Sequence, residues 1–326
     1  GKAHNERLTQ VAAKGFLGKV YLTMAGFPLN DTAKKAEAQQ LFKEVIDYAT
    51  AKNKYWMADM DAWNQSWLHE NDNKYAIFEI QYIAEAGQGN PMVTLTVPSN
   101  PGTDWCGNNL VTGTHVYIER GLQRHFIAKD EITGEYLDKR ADGTLNLKET
   151  VDEDGNIVTS KGNTFYTKYF ESKVKRAKFG KSDMDATIVN RTYWPQNFQL
   201  LRIEDIMLLY AECVGNTTEG RELVNRIRRR AGLADLDINL SEEEFQKAVQ
   251  DERRYELAEE GVRWFDLVRR NEYVDTIKQM FIDDDDTENG TYKQYANRVN
   301  ADMYLYPIPQ SQIEVRKGLY TQNKGY

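Results

Sequence analysis

The apolar positions of this chain fall into helical stripes at both ends and lose that order in the middle. Over residues 6–25, Leu8, Val11, Ala12, Phe16 and Val20 recur at helical spacing, and Gly26, Phe27 and Pro28 then stop the pattern, which predicts a helix with a sharp end. Ala38, Leu41, Phe42, Val45, Ile46 and Ala49 predict a second helix over residues 32–50. Within this pair, Leu17-Gly18-x-x-Tyr21 has the close-packing core of a tetratricopeptide first helix, and Ala38, Phe42 and Val45 have the spacing of its second. Gly18 lets the neighbouring helix approach and Tyr21 fills the gap beside it. Trp63 and Trp67 stand four apart on a predicted helix, which points to core packing. Residues 75–82 alternate and are rich in aromatic and β-branched side chains, so they read as a strand or extended segment.

Residues 84–195 are dominated by glycine, asparagine and turn formers. Residues 141–144 (ADGT) and 152–156 (DEDGN) read as tight turns beside short hairpins, and loops of such length in a compact domain are usually functional or disordered. Helices return near Arg202. Ile203, Ile206, Met207, Leu209, Tyr210 and Cys213 mark one that ends at Gly215. Leu223, Val224, Ile227 and Ala231 mark the next, with Gly232 as its C-terminal cap. Ser241 and Glu244 form a capping box that opens a long helix to about Glu260, and a further helix begins after Gly261. The prolines of residues 304–310 predict an extended tail, with one short helical turn at 311–314. The expected architecture is mainly α: one domain over 1–326, with a helical scaffold of tetratricopeptide-like hairpins at 1–70 and 201–275, an irregular loop and short-hairpin insertion at 84–195, and an extended tail at 300–326.

Composition narrows the function. Hydrophobic residues at 40% and charged residues at 28% fit a globular protein, and no run approaches the roughly 18 apolar residues of a membrane span. A net charge of -8 argues against nucleic acid and against electrostatic docking on anionic lipid. The opening residues are polar and enter a helix almost at once, so the chain reads as a mature or truncated one whose export information has been removed. Cys213 sits in an apolar helical stretch and reads as a buried small hydrophobe. Cys106 lies in a loop, and spacing alone leaves a bridge between them open. His4, His69, His115 and His125 make no metal-ligand spacing. Residues 283–290 imitate the start of an EF-hand loop, but Lys293 and Ala296 stand where ligands are needed, so a solvated acidic loop is the better reading. No nucleophile elbow, P-loop or dinucleotide motif is present, and no cofactor or metal is implied.

The run DERRYELAEEGVRWFDLVRR at residues 251–270 closely resembles the signature stretch of SusD/RagB-type proteins. Residues 77–82 (IFEIQY), 201–212 (LRIEDIMLLYAE), 222–233 (ELVNRIRRRAGL), 305–314 (LYPIPQSQIE) and 318–326 (GLYTQNKGY) resemble further family segments, in family order. Residues 84–195 match no family segment. The resemblance implies a SusD-like α-α superhelix and a nutrient-binding surface lipoprotein. Such a protein sits on the outer face of the outer membrane of a Bacteroidetes-type bacterium and delivers oligosaccharides, or in some relatives peptides, to a TonB-dependent (SusC-like) transporter. Family members also carry a further N-terminal helical region and a lipid-anchoring cysteine before it, and the sequence offers no counterpart of either.

Within the signature, Glu252, Glu256, Glu259 and Glu260 suggest a glycosidase carboxylate pair, but the interleaved Arg253, Arg254 and Arg263 favour ion pairing. Trp264 and Phe265 read as a core plug, with Arg263 and Asp266 tying helix ends. Sugars offer flat C–H patches with a hydroxyl rim, which exposed rings and amides recognise. Trp105, flanked by Asp104 and by Asn108-Asn109 in a Pro-Gly loop, is the leading platform candidate, with Tyr117, Tyr166, Tyr169 and Trp194 in the same variable region. Two rival readings are a peptide- or protein-binding helical-repeat module and an all-helical glycoside hydrolase. The hydrolase would need two carboxylates roughly 5–9.5 Å apart in one cleft.

Overall fold

A computed structural model describes residues 8–68, 73–85, 87–92, 96, 118–146, 149–151, 157–159, 165–171, 173–181, 194–284, 291–316 and 318–326. Helix α1 (Gln10–Ala25) is capped by the Thr9 hydroxyl, which accepts from the Ala12 N–H, and it packs along α2 (Lys34–Lys52). Gly18 sets their approach. A Cβ there would lie 2.6 Å from Cε1 of the fully buried Phe42 ring, and Ala38, Val45 and Ala49 continue the same seam. Gly18→Leu is therefore expected to lower stability in urea unfolding by about 1–3 kcal/mol, even though leucine is the better helix former. Unchanged stability would show that the helices do not need that glycine.

Helix α3 (Met60–Ser66), capped by Asp59, presents the buried Trp63 and leads to the buried Trp67, as their spacing predicts. Strand β1 (Ala76–Ile80) then begins, and the variable region follows. Its described elements are α4 (Arg120–Ile127), α5 (Ala141–Thr144), β2 (Glu149–Val151), β3 (Ile157–Thr159) and α6 (Lys173–Lys178). The expected hairpin forms, with β2 antiparallel to β3 and Val151 opposite Ile157; the turn at 152–156 lies outside the described residues. Residues 141–144 are not a hairpin turn but one turn of helix. Gly143 lies against Trp63, where a Cβ would come within 2.3 Å of the ring, so packing onto the tryptophan fixes the backbone there.

Strand β4 (Phe198–Arg202) lies just before the helix expected from near Arg202, in a stretch to which the sequence pattern assigns no element. It pairs antiparallel with β1, with Ala76 opposite Arg202 and Ile80 opposite Phe198. Gln199 and Leu201 turn inward on alternate positions, a period of two that tertiary pairing imposes on a short segment. The chain passes directly into α7 (Ile203–Val214), which is buried from Ile203 to Cys213 and is packed by α2, α8 (Thr218–Arg230) and α9 (Glu242–Glu256). Cys213 is a buried free thiol, and burial pushes its pKa up to about 12; Cys106 lies outside the described residues. Helix α8 ends in a Schellman motif: Gly232 at φ +81° donates to the Arg229 carbonyl and Leu233 donates to Arg228. The capping box of α9 forms as predicted. The helix stops at Glu256, four residues early, because Glu259 (φ +69°) and Gly261 (φ +74°) reverse the chain.

Helices α10 (Arg263–Arg269), α11 (Tyr273–Asp283), α12 (Thr291–Ala296) and α13 (Gln310–Val315) complete the chain, α13 being the short turn expected in the tail. The predicted Trp264–Phe265 plug is not there. Phe265 is 66% exposed and Trp264 is half-buried against Tyr273 and Tyr306. Two turns of helix can bury one face, and α10 commits it to Asp266, Leu267 and Arg269.

Candidate functional site

Glu252, Glu256 and Glu260 of the 251–270 run are sealed inside the protein by arginines and a lysine from distant segments. Glu256, with no exposed surface, accepts from Arg140 Nη1 at 2.8 Å, Arg202 Nη1 at 2.7 Å and Arg230 Nη2 at 2.5 Å. Arg140 also donates to Glu252 at 2.7 Å and through Nε and Nη2 to Asp138 at 2.9 and 2.7 Å. Arg202 and Lys168 share Glu260, each with a bond of 2.8 Å, and Arg230 reaches Glu204 at 2.7 Å. A second knot joins Arg253 to Asp205 and Asp266, and Arg269 to Asp266 and Glu212.

Burial by itself would raise the Glu256 carboxyl. Arg230, Arg202 and Arg140 overcome that and hold it well below the usual range. Glu252, Glu256 and Glu260 are thus held by cations and shut off from a substrate, so the ion-pair reading holds for those three. Glu259 departs from it, since its Oε1 is buried without a hydrogen-bond partner among the described residues and burial pushes its pKa up to about 8. Asp266 ties helix ends as expected. Arg263 does not: among the described residues it makes no hydrogen bond or ion pair.

Beneath the network lies an aromatic floor. Lys168 Nζ sits 4.9 Å over Trp67 and 5.6 Å over Trp63, and Tyr169 stacks on Phe198 at 5.0 Å. This decides two of the predicted ligand residues. Tyr169 and Trp194 have no exposed surface, and Trp194 Nε1 donates to the Tyr169 carbonyl at 2.8 Å. Their rings pin the variable region to the scaffold and offer no face to a ligand. Tyr166 is half-buried and borders a small cavity. Trp105, Asp104, Asn108 and Tyr117 lie outside the described residues.

The described surface also holds concavities that the sequence reading did not anticipate. An open cleft of about 830 Å³ is bordered by α9, α10 and α11, and its walls carry Glu119, Glu243, Glu244, Asp251, Glu272, Asp275 and Asp283 beside Lys247, Arg254, Arg263 and Arg270. A cavity of about 250 Å³ shares Glu119, Arg254 and Arg263 with it and adds Leu122, Tyr166, Val262 and Trp264. Arg254 and Arg263 were read as scaffold because they sit among acids. An arginine beside a tryptophan just after a glycine turn was the one local hint of a wall. Among the described residues no cluster of metal-ligating side chains occurs.

Paired helices packed around a central buried helix, with a small sheet and a loop-rich insertion, define a tetratricopeptide-like helical superhelix. Residues 30–326 match the model of the SusD family, and the chain belongs to that family. It is 33% identical over 118 residues to SusD-like protein P38 of Formosa agariphila, a match covering 33% of this chain and 22% of that relative. Its fold is similar to that of a SusD homolog from Bacteroides thetaiotaomicron VPI-5482, with a TM-score of 0.70 at 21% identity, covering 99% of this chain and 65% of the other. It is also similar to surface glycan-binding protein A from Bacteroides thetaiotaomicron in complex with laminarihexaose, with a TM-score of 0.67 at 18% identity, covering 98% and 64%. The chain thus spans about two thirds of the length of these solved structures.

Proposed function

We propose that this chain belongs to a cell-surface protein that captures oligosaccharides and passes them, unchanged, to a TonB-dependent outer-membrane transporter. The observation that carries the reading is the family match over residues 30–326, and the laminarihexaose complex of a structural relative supports a glycan as the ligand. The chemistry is that of capture. The charge network makes the helices a rigid frame, and the insertion anchored by Tyr169 and Trp194 presents Trp105, with Asp104 and Asn108, as a stacking platform with a polar rim; Tyr117 and Tyr166 extend it. Because Glu252, Glu256 and Glu260 are tied to arginines and Lys168, those three lend no acid–base pair to hydrolysis. No described helix is long and apolar enough to cross a membrane, and a lipid anchor on the outward face of the outer membrane is the attachment that fits the family.

A glycan-array screen, repeated with Trp105→Ala, tests this. Saturable oligosaccharide binding without turnover is expected, weakened roughly tenfold or more by the substitution, as for a central aromatic anchor. Binding of peptides but not sugars, or release of reducing sugar, overturns the reading. Undiminished binding by the variant removes Trp105 from it.

A further inference from the structure

One guanidinium on the walls of the two cavities is left over. Of the three arginines bordering the smaller one, Arg253 is held by Asp205 and Asp266, and Arg254 pairs with Glu119. Arg263, half-buried, has neither a hydrogen bond nor an ion pair among the described residues. Burial lowers the pKa of Arg263 and of Arg254, and the neighbouring Arg263 lowers that of Arg254 further. Asp266, Asp251 and Glu272 attract Arg263 without closing on it. A third carboxyl at the same cavity, Glu259, is pushed by burial up to about 8 and so carries little charge at neutral pH. A forked donor without a partner among the described residues, beside a half-buried indole and a phenol in a concave site, matches a ligand that joins an anionic group to a flat ring face. The open cleft on the other border of Arg254 and Arg263, whose walls carry more carboxylates than cations, gives room for an uncharged remainder of a chain.

We propose that Arg263, with Arg254, Trp264 and Tyr166, forms a subsite for an acidic sugar, binding the carboxylate or sulfate group through the guanidinium and the ring against Trp264. The word sugar rests on the glycan-capture reading; the anion-binding half stands on the geometry alone.

The test is a titration of the 326-residue chain with glucuronate, glucose 6-sulfate and glucose. Binding is followed on the indole N–H resonance of Trp264, assigned with Trp264→Phe. A saturable shift with one or both acidic sugars and none with glucose is expected, and which acid responds separates carboxylate from sulfate ester. Arg263→Gln should weaken that binding about tenfold or more, the loss of a charge-assisted hydrogen bond, while leaving the thermal midpoint in place because it orphans no partner. No shift with either acid, an equal shift with glucose, or unaltered binding by Arg263→Gln overturns the proposal. Array binding that depends on Trp105 would survive that result, and its absence would leave the glucuronate titration to decide this subsite separately.

Discussion

Glu256→Gln is expected to lower the free energy of unfolding by about 4 kcal/mol or more, the range for breaking a buried ion pair by removing one partner. Glutamine keeps the shape but replaces the charge that three buried guanidinia converge on. Arg140, Arg202 and Arg230 are each 7% exposed or less and have no route to solvent. Arg140 would keep Asp138 and Glu252, Arg202 would keep Glu260 and Glu204, and Arg230 would keep Glu204 as its one carboxylate, beside the Met57 carbonyl, so the deficit falls mainly on α8. A domain of ordinary stability has about 5–15 kcal/mol in all, so partial unfolding at room temperature is within the expected result. The control is Asp251→Asn on the same helix, whose pair with Lys247 is solvent-exposed at the lysine and is worth under about 1 kcal/mol. Urea unfolding followed by circular dichroism reads both. A loss below about 1 kcal/mol for Glu256→Gln would mean that the network is slack and that the frame owes its rigidity to apolar packing alone.

That network shows where a single sequence runs out. The helices were legible because their period is local: Gly18 against Phe42, the Ser241–Glu244 box and the Gly232 cap each need only a few neighbouring residues to be recognised. The acidic members of the network were visible too, as Glu252, Glu256 and Glu260. Their partners were not. Arg140 lies 116 residues before Glu256 and Lys168 lies 92 before Glu260, inside a region whose composition advertised loops. The same distance effect explains β4. Phe198–Arg202 has no strand pattern of its own strength and becomes one by pairing with β1 across the insertion. Aromatic side chains misled in the opposite direction. Tyr169 and Trp194 share the variable region with Trp105, and composition alone cannot separate a ring that faces a ligand from one that fastens a loop. Burial separates them. Arg263 is the converse case, a charge that reads as structural in the sequence and has no hydrogen-bond or ion-pair partner among the described residues.

Stability should peak near pH 5 and fall on both sides, because the buried carboxyls pull in opposite directions. Burial alone would raise Glu212, but Arg269 and Arg270 hold it down at about 2. The folded state therefore favours its ionised form, and the stabilisation is complete above the unfolded value near 4.3 and is lost as pH falls toward 2. From this group alone the change is about 3 kcal/mol. Glu256, Asp205 and Asp138 are depressed in the same sense by their arginine and lysine neighbours or, for Asp138, by Arg140 and His125, so the acid limb is steep.

Glu259 acts the other way. Its Oε1 is out of solvent, burial raises it to about 8, and the nearby Lys168 only partly offsets that. The fold favours its neutral form, so its contribution is complete below about 4.3 and is lost as pH rises toward 8, an expected drop of a few kcal/mol. Urea midpoints at pH 3, 5 and 7 should rank 5 above 7 above 3. Glu259→Gln should remove most of the difference between 5 and 7 and leave the acid limb as it was. A native protein with the same midpoint at pH 3 as at pH 5 would mean that the arginine-held carboxylates do not carry the fold. A wild-type midpoint that does not fall between 5 and 7 would mean that Glu259 is ionised where it sits, with a counter-charge close enough to keep it so.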